Sequence, residues 1–271
     1  MLMNDAYRSF FGFTKEPFRP DPCLKDILET EEIQGVMERF GYAVRLGAIA
    51  LITGEIGSGK STALRYAASR LHPSQHRVLF VTAVSGSILE IYRMVLAEFG
   101  IETASSSRAF LLRSIRKEIT HLVGEKKIKT ALVIDEASLL RLEVFAELHT
   151  LCQFEKDSMP WLPIILAGHS SLIDKLHYPG SQPLASRVVA RTHLEGSDRK
   201  QMQAYIDHHL HLAGAGAALF EEAAVTAVHQ GSAGLFRKAN HLARGALIAA
   251  ARDQSATVGA EHVRLAATEI F

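Results

Sequence analysis

The sequence predicts an α/β fold, a parallel sheet covered by helices and followed by a small all-helical C-terminal domain. Three observations lead there. From Ala48 onward, short apolar runs alternate with amphipathic helical patterns, the order expected of strands that return through crossover helices. Two of the runs, Ala131-Leu132-Val133-Ile134 and Ile164-Ile165-Leu166, carry no polar residue, as strands buried on both faces of a parallel sheet should. After Ser197 the strand signals stop and helical periodicity alone remains.

Taken in order, the strands are expected at Ala48 to Thr53, Arg77 to Thr82, Thr130 to Asp135, Leu162 to Ala167 and Arg191 to Leu194. Helices are expected between them near Lys60 to Leu71, Ile88 to Phe99, Arg108 to Val123, Leu142 to Phe154 and Ser171 to Leu176. The C-terminal helices fall near Lys200 to Leu212, Leu219 to His229, Leu235 to Arg252 and Ala260 to Ile270. The junction at Glu195 to Asp198 is polar and holds Gly196, as a change of element requires.

Composition narrows the function classes. With 48% hydrophobic and 22% charged residues, the 271-residue chain can bury a sizeable core and is not a disordered segment. The formal net charge of +1 supplies no global field for nucleic acid or an anionic membrane, so such affinity must come from a local patch. No apolar run approaches the roughly 20 residues that span a bilayer, and the start is not signal-like, so a cytoplasmic protein without membrane partners is expected. Cys23 and Cys152 lie too far apart in sequence for a metal or redox motif and read as structural; His208, His209 and His211 read as a solvated helix face.

The chemistry begins at Gly54-Glu55-Ile56-Gly57-Ser58-Gly59-Lys60-Ser61, a full match to the phosphate loop G-x-x-x-x-G-K-[S/T]. At average residue frequencies such a match arises by chance in about one chain in a hundred of this length. Here it also follows a strand and opens a helix, so that backbone N–H groups and a helix N-terminus are aimed at phosphates. Lys60 is the expected contact to the β- and γ-phosphates of ATP, Ser61 the hydroxyl ligand of Mg²⁺, and Thr62 part of the anchoring first turn. Downstream, an apolar strand ends in Asp135-Glu136. A carboxylate at the carboxyl tip of a parallel strand faces the ligand crevice, which suits Asp135 to magnesium, through water, and Glu136 to polarising an attacking water.

Four further positions are candidates. His169 emerges from the next strand as a sensor of the γ-phosphate, or simply begins a loop. Arg187 and Arg191 flank the start of the last strand, and either has the side chain suited to an arginine finger reaching a neighbouring subunit; a surface arginine would look the same. Arg237 follows Gly234-Leu235-Phe236 just inside a helix start and could reach back over the nucleotide from a lid, or make a surface salt bridge.

Together these residues resemble the AAA+ ATPases of the ExeA-like set, which includes the secretion ATPase ExeA and the transposition ATPases TnsC and TniB. The likeness covers almost the whole chain. It is carried by Tyr7-Arg8-Ser9-Phe10-Phe11-Gly12-Phe13, Glu16-Pro17-Phe18 and Pro20-Asp21-Pro22, by Ile52-Thr53 ahead of the phosphate loop, by Ala190-Arg191-Thr192-His193-Leu194, by Tyr205-Ile206, and by Gly234 to Arg237 with Asn240. The resemblance implies a P-loop NTPase core of AAA+ type with a C-terminal helical lid. It implies residues 1–47 as a segment and helix packing on that core, 48–197 as the nucleotide-binding core and 198–271 as the lid. It places the opening segment near the adenine and makes Arg237 the lid sensor. Where the family commonly reads Gly-Gln-Pro-Glu-Leu, this chain reads Gly168-His169-Ser170-Ser171-Leu172.

The secretion member continues into a membrane span and a peptidoglycan-binding region that this sequence does not contain, so a stand-alone, transposition-type module is the expectation. The function implied is an ATP-dependent regulator that forms a ring or helical homo-oligomer on double-stranded DNA, selects a target and recruits or activates a separate transposase. The alternative is a secretion or envelope-assembly ATPase acting on protein. One local feature speaks to DNA: Arg108, Arg113, Arg116, Lys117, Lys126, Lys127 and Lys129 face only Glu102, Glu118 and Glu125 within residues 101–129, although a solvated helix face gives the same balance.

Overall fold

The structure, a computed structural model, describes residues 3–215 and 218–269. Contacts divide the chain into two compact units: Thr30–Gly54 with Lys60–Leu194, and Met1–Glu29 with Glu55–Gly59 and Glu195–Phe271.

The first unit holds a sheet of five parallel strands, β1 (Ile49–Gly54), β2 (His76–Thr82), β3 (Lys129–Asp135), β4 (Ile164–Gly168) and β5 (Val188–Leu194), in the order β2-β3-β4-β1-β5. Parallel partners share a face, so the register sorts the core. Ala50, Ile52, Ala131, Val133, Ile165 and Ala167 pack under α2 (Glu31–Leu46) and α3 (Lys60–Ser69). Ile49, Leu51, Leu132, Ile134, Ile164 and Leu166 face α4 (Ile88–Glu98), α5 (Arg108–Ile119) and α6 (Leu142–Leu151). Each fully buried Leu, Ile or Val contributes about 1.5–3 kcal/mol relative to exposure, which makes this two-sided burial the main support of the sheet. α2 opens with the Thr30 hydroxyl accepting from the Ile33 N–H at 3.4 Å and stops at Gly47. There the backbone turns left-handed (φ 65°), and a Cβ would lie 1.9 Å from the Pro160 carbonyl oxygen, so only glycine fits.

The expected element order is present, with shifted ends. β5 starts at Val188, three positions before the expected Arg191, because it is an edge strand whose residues alternate between half-buried and exposed. β4 starts at Ile164 rather than Leu162, since the intervening Pro163 has no N–H for the ladder. α5 ends at Ile119 and continues as a π-helical turn, Thr120–Glu125. α6 stops at Leu151, short of Phe154, which forms a bridge with Met159 instead. Two short helices, α7 (Ser171–His177) and the unanticipated α8 (Gln182–Ala185), lead into β5.

The second unit contains α1 (Met3–Phe11), α9 (Arg199–Ala213), α10 (Glu222–Ser232), α11 (Phe236–Arg252) and α12 (Ala260–Thr268). The expected end of the last helix at Ile270 lies outside the described residues. α9 begins with a capping box, in which the Gln201 N–H donates to Asp198 Oδ1 at 2.7 Å and the Asp198 N–H to Gln201 Oε1 at 2.8 Å. α10 begins at Glu222, not Leu219, because Leu219 and Glu221 exchange backbone hydrogen bonds with Val258 at 2.7 and 3.0 Å.

Residues 1–47 do not behave as one segment: α2 clusters with the sheet, and the stretch before Thr30 clusters with the C-terminal helices. The reason is aromatic. Tyr7, Phe13 and Phe18 are buried against Met202, Ile206, Leu210 and Leu247, positions distant in sequence. Polar anchors fix the path, with the Thr14 N–H donating to Ala213 O at 2.8 Å, Arg244 Nη2 to Phe18 O at 2.6 Å, and Tyr7 Oη to Glu16 Oε1 at 2.6 Å.

This packing also overturns the reading of a solvated face for His208 and His209, while His211 is exposed. His209 is 8% exposed, its ring 4.4 Å from Tyr205 and 5.5 Å from Phe18, and the His208 imidazole bonds the Asp26 carbonyl at 2.7 Å. Burial, with a smaller contribution from His208, pushes the His209 pKa from 6.5 down to about 4. The unfolded chain therefore takes up this proton first: stability is fully present above about pH 6.5 and is lost as pH falls towards 4. Denaturant titrations of the full chain should lose about 1–2 kcal/mol more between pH 7 and 5 in the wild type than in His209→Gln. Parallel pH dependences of the two would remove His209 as the cause.

Candidate nucleotide site

All residues of β1 are buried, and it runs between β4 and β5. Thr53 pairs with Gly168 and Thr82 with Asp135, so the carboxyl ends of β1 to β4 form one edge of the sheet. Gly54, Asp135, Glu136 and His169 all stand there. Ser61, on the first turn of α3, donates to Asp135 Oδ2 at 2.5 Å, while the Glu136 N–H donates to Asp135 Oδ1 at 2.8 Å. Lys60 is only 6% exposed, and its Nζ donates to the Gly54 carbonyl at 2.9 Å. Thr62 is half-buried on the same turn.

The middle of the loop, Glu55–Gly59, belongs to the helical unit. Gly57 and Gly59 are left-handed (φ 88° and 95°), a conformation side chains resist. The Gly57 carbonyl accepts the N–H of Arg237 at 3.2 Å, and a Cβ on Gly57 would fall 2.9 Å from Arg237 Cβ. Gly59 lies against the Phe236 ring, its would-be Cβ 3.5 Å from Cδ2. The start of α11 is thus pinned to the loop by backbone, and the Arg237 side chain is exposed. Ser58 Oγ is buried without a hydrogen-bond partner among the described residues.

These features fit a nucleotide with its divalent cation. A hydroxyl and a carboxylate meet as a hard cation requires, and a buried ammonium on the same turn suits an anion.

His169 is on the site's edge, its N–H donating to Ser138 Oγ at 3.3 Å and its Nδ1 3.2 Å from Ser171 Oγ. The two arginines are elsewhere. Arg187 precedes β5 at the opposite, amino-terminal edge of the sheet, ion-paired to Asp157 with Nε 3.3 Å from His149 Nδ1. Arg191 is exposed in mid-strand on edge strand β5, its carbonyl accepting from Arg39 Nε at 2.9 Å. Neither belongs to the carboxyl-edge cluster around Asp135. Thr53 Oγ1, at the end of β1, lies 2.9 Å from His193 Nδ1. Two contributors carried no motif: Ser138, within the turn after Glu136, and Lys175, which donates to that turn.

The basic stretch is not one continuous face. Arg108 pairs with Glu147 at 2.7 Å, and Arg116 is half-buried, donating to the Thr150 carbonyl at 2.5 Å. Arg113 and Lys117 are exposed one turn apart on α5, near the half-exposed Phe110.

Residues 44–176 match a protein-family model described as an AAA domain. General secretion pathway protein A of Aeromonas hydrophila is 27% identical over 267 residues, which is 97% of this chain and 48% of that protein. The chain therefore spans about half the length of this relative. Cdc6p from Pyrobaculum aerophilum superposes with a TM-score of 0.70 at 16% identity, over 97% of this chain and 71% of that one. The Aeropyrum pernix ORC1 protein, solved in complex with DNA, gives 0.70 at 17% identity over 93% and 68%. The Thermotoga maritima RuvB Holliday junction branch migration motor gives 0.57 at 19% over 93% and 73%. Sheet order, phosphate loop and family model agree: this chain is built on the fold of the AAA+ P-loop nucleoside triphosphatases.

Proposed function

We propose that this protein is a Mg²⁺-dependent ATP hydrolase of the cytoplasm that regulates DNA transposition, assembling in its ATP state as a ring or helical filament on double-stranded DNA, where it selects the target and recruits or activates a separate transposase. The observation that carries the hydrolase is the meeting of Ser61 with Asp135 at the carboxyl edge of the sheet. Mg²⁺, when bound, neutralises charge on the β- and γ-phosphate oxygens. The chain supplies the rest. Ser61 and Asp135 hold the cation, Lys60 and the loop amides hold the phosphates, and Glu136 accepts a proton from the attacking water. His169 and Arg237 read the γ-phosphate, and Arg187 or Arg191 serves a neighbouring copy's site.

The DNA reading draws on the sequence resemblance and on exposed Arg113 and Lys117, which a stack of copies would repeat along the phosphates. A solved neighbour of the same fold, the Aeropyrum pernix ORC1 protein, is itself in complex with DNA. A second reading, a secretion or envelope-assembly ATPase acting on protein, is favoured by the 27% identity to general secretion pathway protein A across 97% of this chain.

Lys60→Ala should weaken binding of a non-hydrolysable ATP analogue by about 10- to 100-fold, the worth of a charge-assisted contact; unchanged calorimetric affinity would refute the site. Glu136→Gln should retain that affinity and lower kcat by about 10²- to 10⁴-fold. Near-normal turnover would take Glu136 out of the base role.

The partner class is read by fluorescence anisotropy with a labelled duplex of random sequence. Binding is expected with ATP and not with ADP, should fall steeply as salt rises, and should weaken for all sequences alike in Arg113→Glu. Arg113 is the clean probe, since Arg116 is tied to α6. No binding with ATP at low salt and micromolar protein would leave the secretion reading ahead.

A further inference from the structure

Glu136 has an unusual backbone. It is a non-glycine residue in the left-handed region (φ 54°), placed between the end of β3 and a single 3-10 turn, Ala137–Leu139. Such a conformation persists only where the surroundings over-determine it. Within the turn, the Leu139 N–H donates to Glu136 O at 2.9 Å and the Leu140 N–H to Ala137 O at 3.2 Å. The carbonyls at the far end of so short a turn have no helical partners of their own. Two of them converge on one side chain: Lys175, half-buried on α7, donates from Nζ to Ser138 O at 2.6 Å and to Leu140 O at 2.7 Å.

The turn is held from its other side by the end of β4. Gly168 approaches so closely that a Cβ there would lie 2.8 Å from Ser138 N, and the His169 N–H donates to Ser138 Oγ at 3.3 Å. Residues 137–140 are therefore clamped between an ammonium and a strand end, and Glu136 is the residue whose backbone this clamp sets.

We propose that Lys175 is a positioning residue for Glu136, fixing the backbone from which its carboxylate meets the attacking water. This rests on the reading of Glu136 as the general base. Lys175 touches neither substrate nor cation in this role; its ammonium satisfies two carbonyls and so holds the turn that follows the left-handed Glu136. Without it the turn is free to relax Glu136 into an ordinary conformation. A shift of about 1 Å in a catalytic group is enough to cost about 100-fold in rate.

The test compares Lys175→Met and Lys175→Arg with the wild-type full-length chain and with Glu136→Gln, under steady-state ATP hydrolysis and calorimetry with a non-hydrolysable ATP analogue. Lys175→Met should lose between about 10- and 100-fold in kcat while KM and analogue affinity stay within about twofold. Lys175→Arg, which can still donate to both carbonyls, should recover most of the loss. In a Glu136→Gln background, Lys175→Met should cost nothing further, because the group it positions is gone. An equal loss in both backgrounds, or a normal kcat in Lys175→Met, overturns the proposal. Near-normal turnover by Glu136→Gln alone instead overturns the base reading on which it rests. Should Lys175→Met fail to fold, Gly168→Ala pushes on the same turn from its opposite side, and its kcat should fall with KM unchanged; a normal kcat there counts against the clamp.

Discussion

The burial of β1 between β4 and β5 is the constraint on which the remainder depends. A strand with every residue inside, flanked by parallel neighbours, cannot slip in register without exposing a whole face of apolar side chains. That fixes where β1 ends, and with it the start of the loop at Gly54 and the first turn of α3. The same register aligns the ends of β3 and β4, so Asp135 meets Ser61 without any direct signal between positions 74 residues apart. The polar cluster at the carboxyl edge is a consequence of packing on the two faces behind it.

A second dependence runs through the loop itself. Its left-handed glycines let the backbone at Gly57 bond the first turn of α11, and Phe236 of that turn packs on Gly59 and meets the Tyr205 ring at a tilt of 42°, centroids 4.6 Å apart. Tyr205 contacts His209, which contacts Phe18. The stretch Glu55–Gly59 is thereby joined to an aromatic column that reaches the segment before Thr30. Burial holds the titratable members of this column in their neutral forms, raising the Tyr205 hydroxyl to about 12 while lowering His209 to about 4.

The two cysteines illustrate how far one residue type can diverge. Cys152 is buried, with its thiol pushed up to about 12 by desolvation, and it packs in the core against the Leu162 carbonyl at 3.6 Å. Cys23 is free and exposed. Among the described residues no helix is long and apolar enough to cross a membrane.

The parallel sheet, its strand sequence, the phosphate loop and the Asp135-Glu136 pair were legible because each is written locally: an apolar run, a glycine spacing, a carboxylate at a strand tip. Edge strand β5 was legible only from Arg191 onward, since its half-exposed alternation hides Val188 to Ala190 among loop-like residues. What the tertiary structure alone decided involves partners far apart in the chain. Neither the burial of Tyr7, Phe13 and Phe18 among the C-terminal helices nor the neutral His209 could be read from periodicity, which says which face of a helix is apolar but not what covers it. Arg116 has the sequence context of a basic face, yet its guanidinium donates to the Thr150 carbonyl. Lys175 carried no motif at all, because its partners are backbone carbonyls, whose position depends on the path of the chain and not on the identity of any side chain.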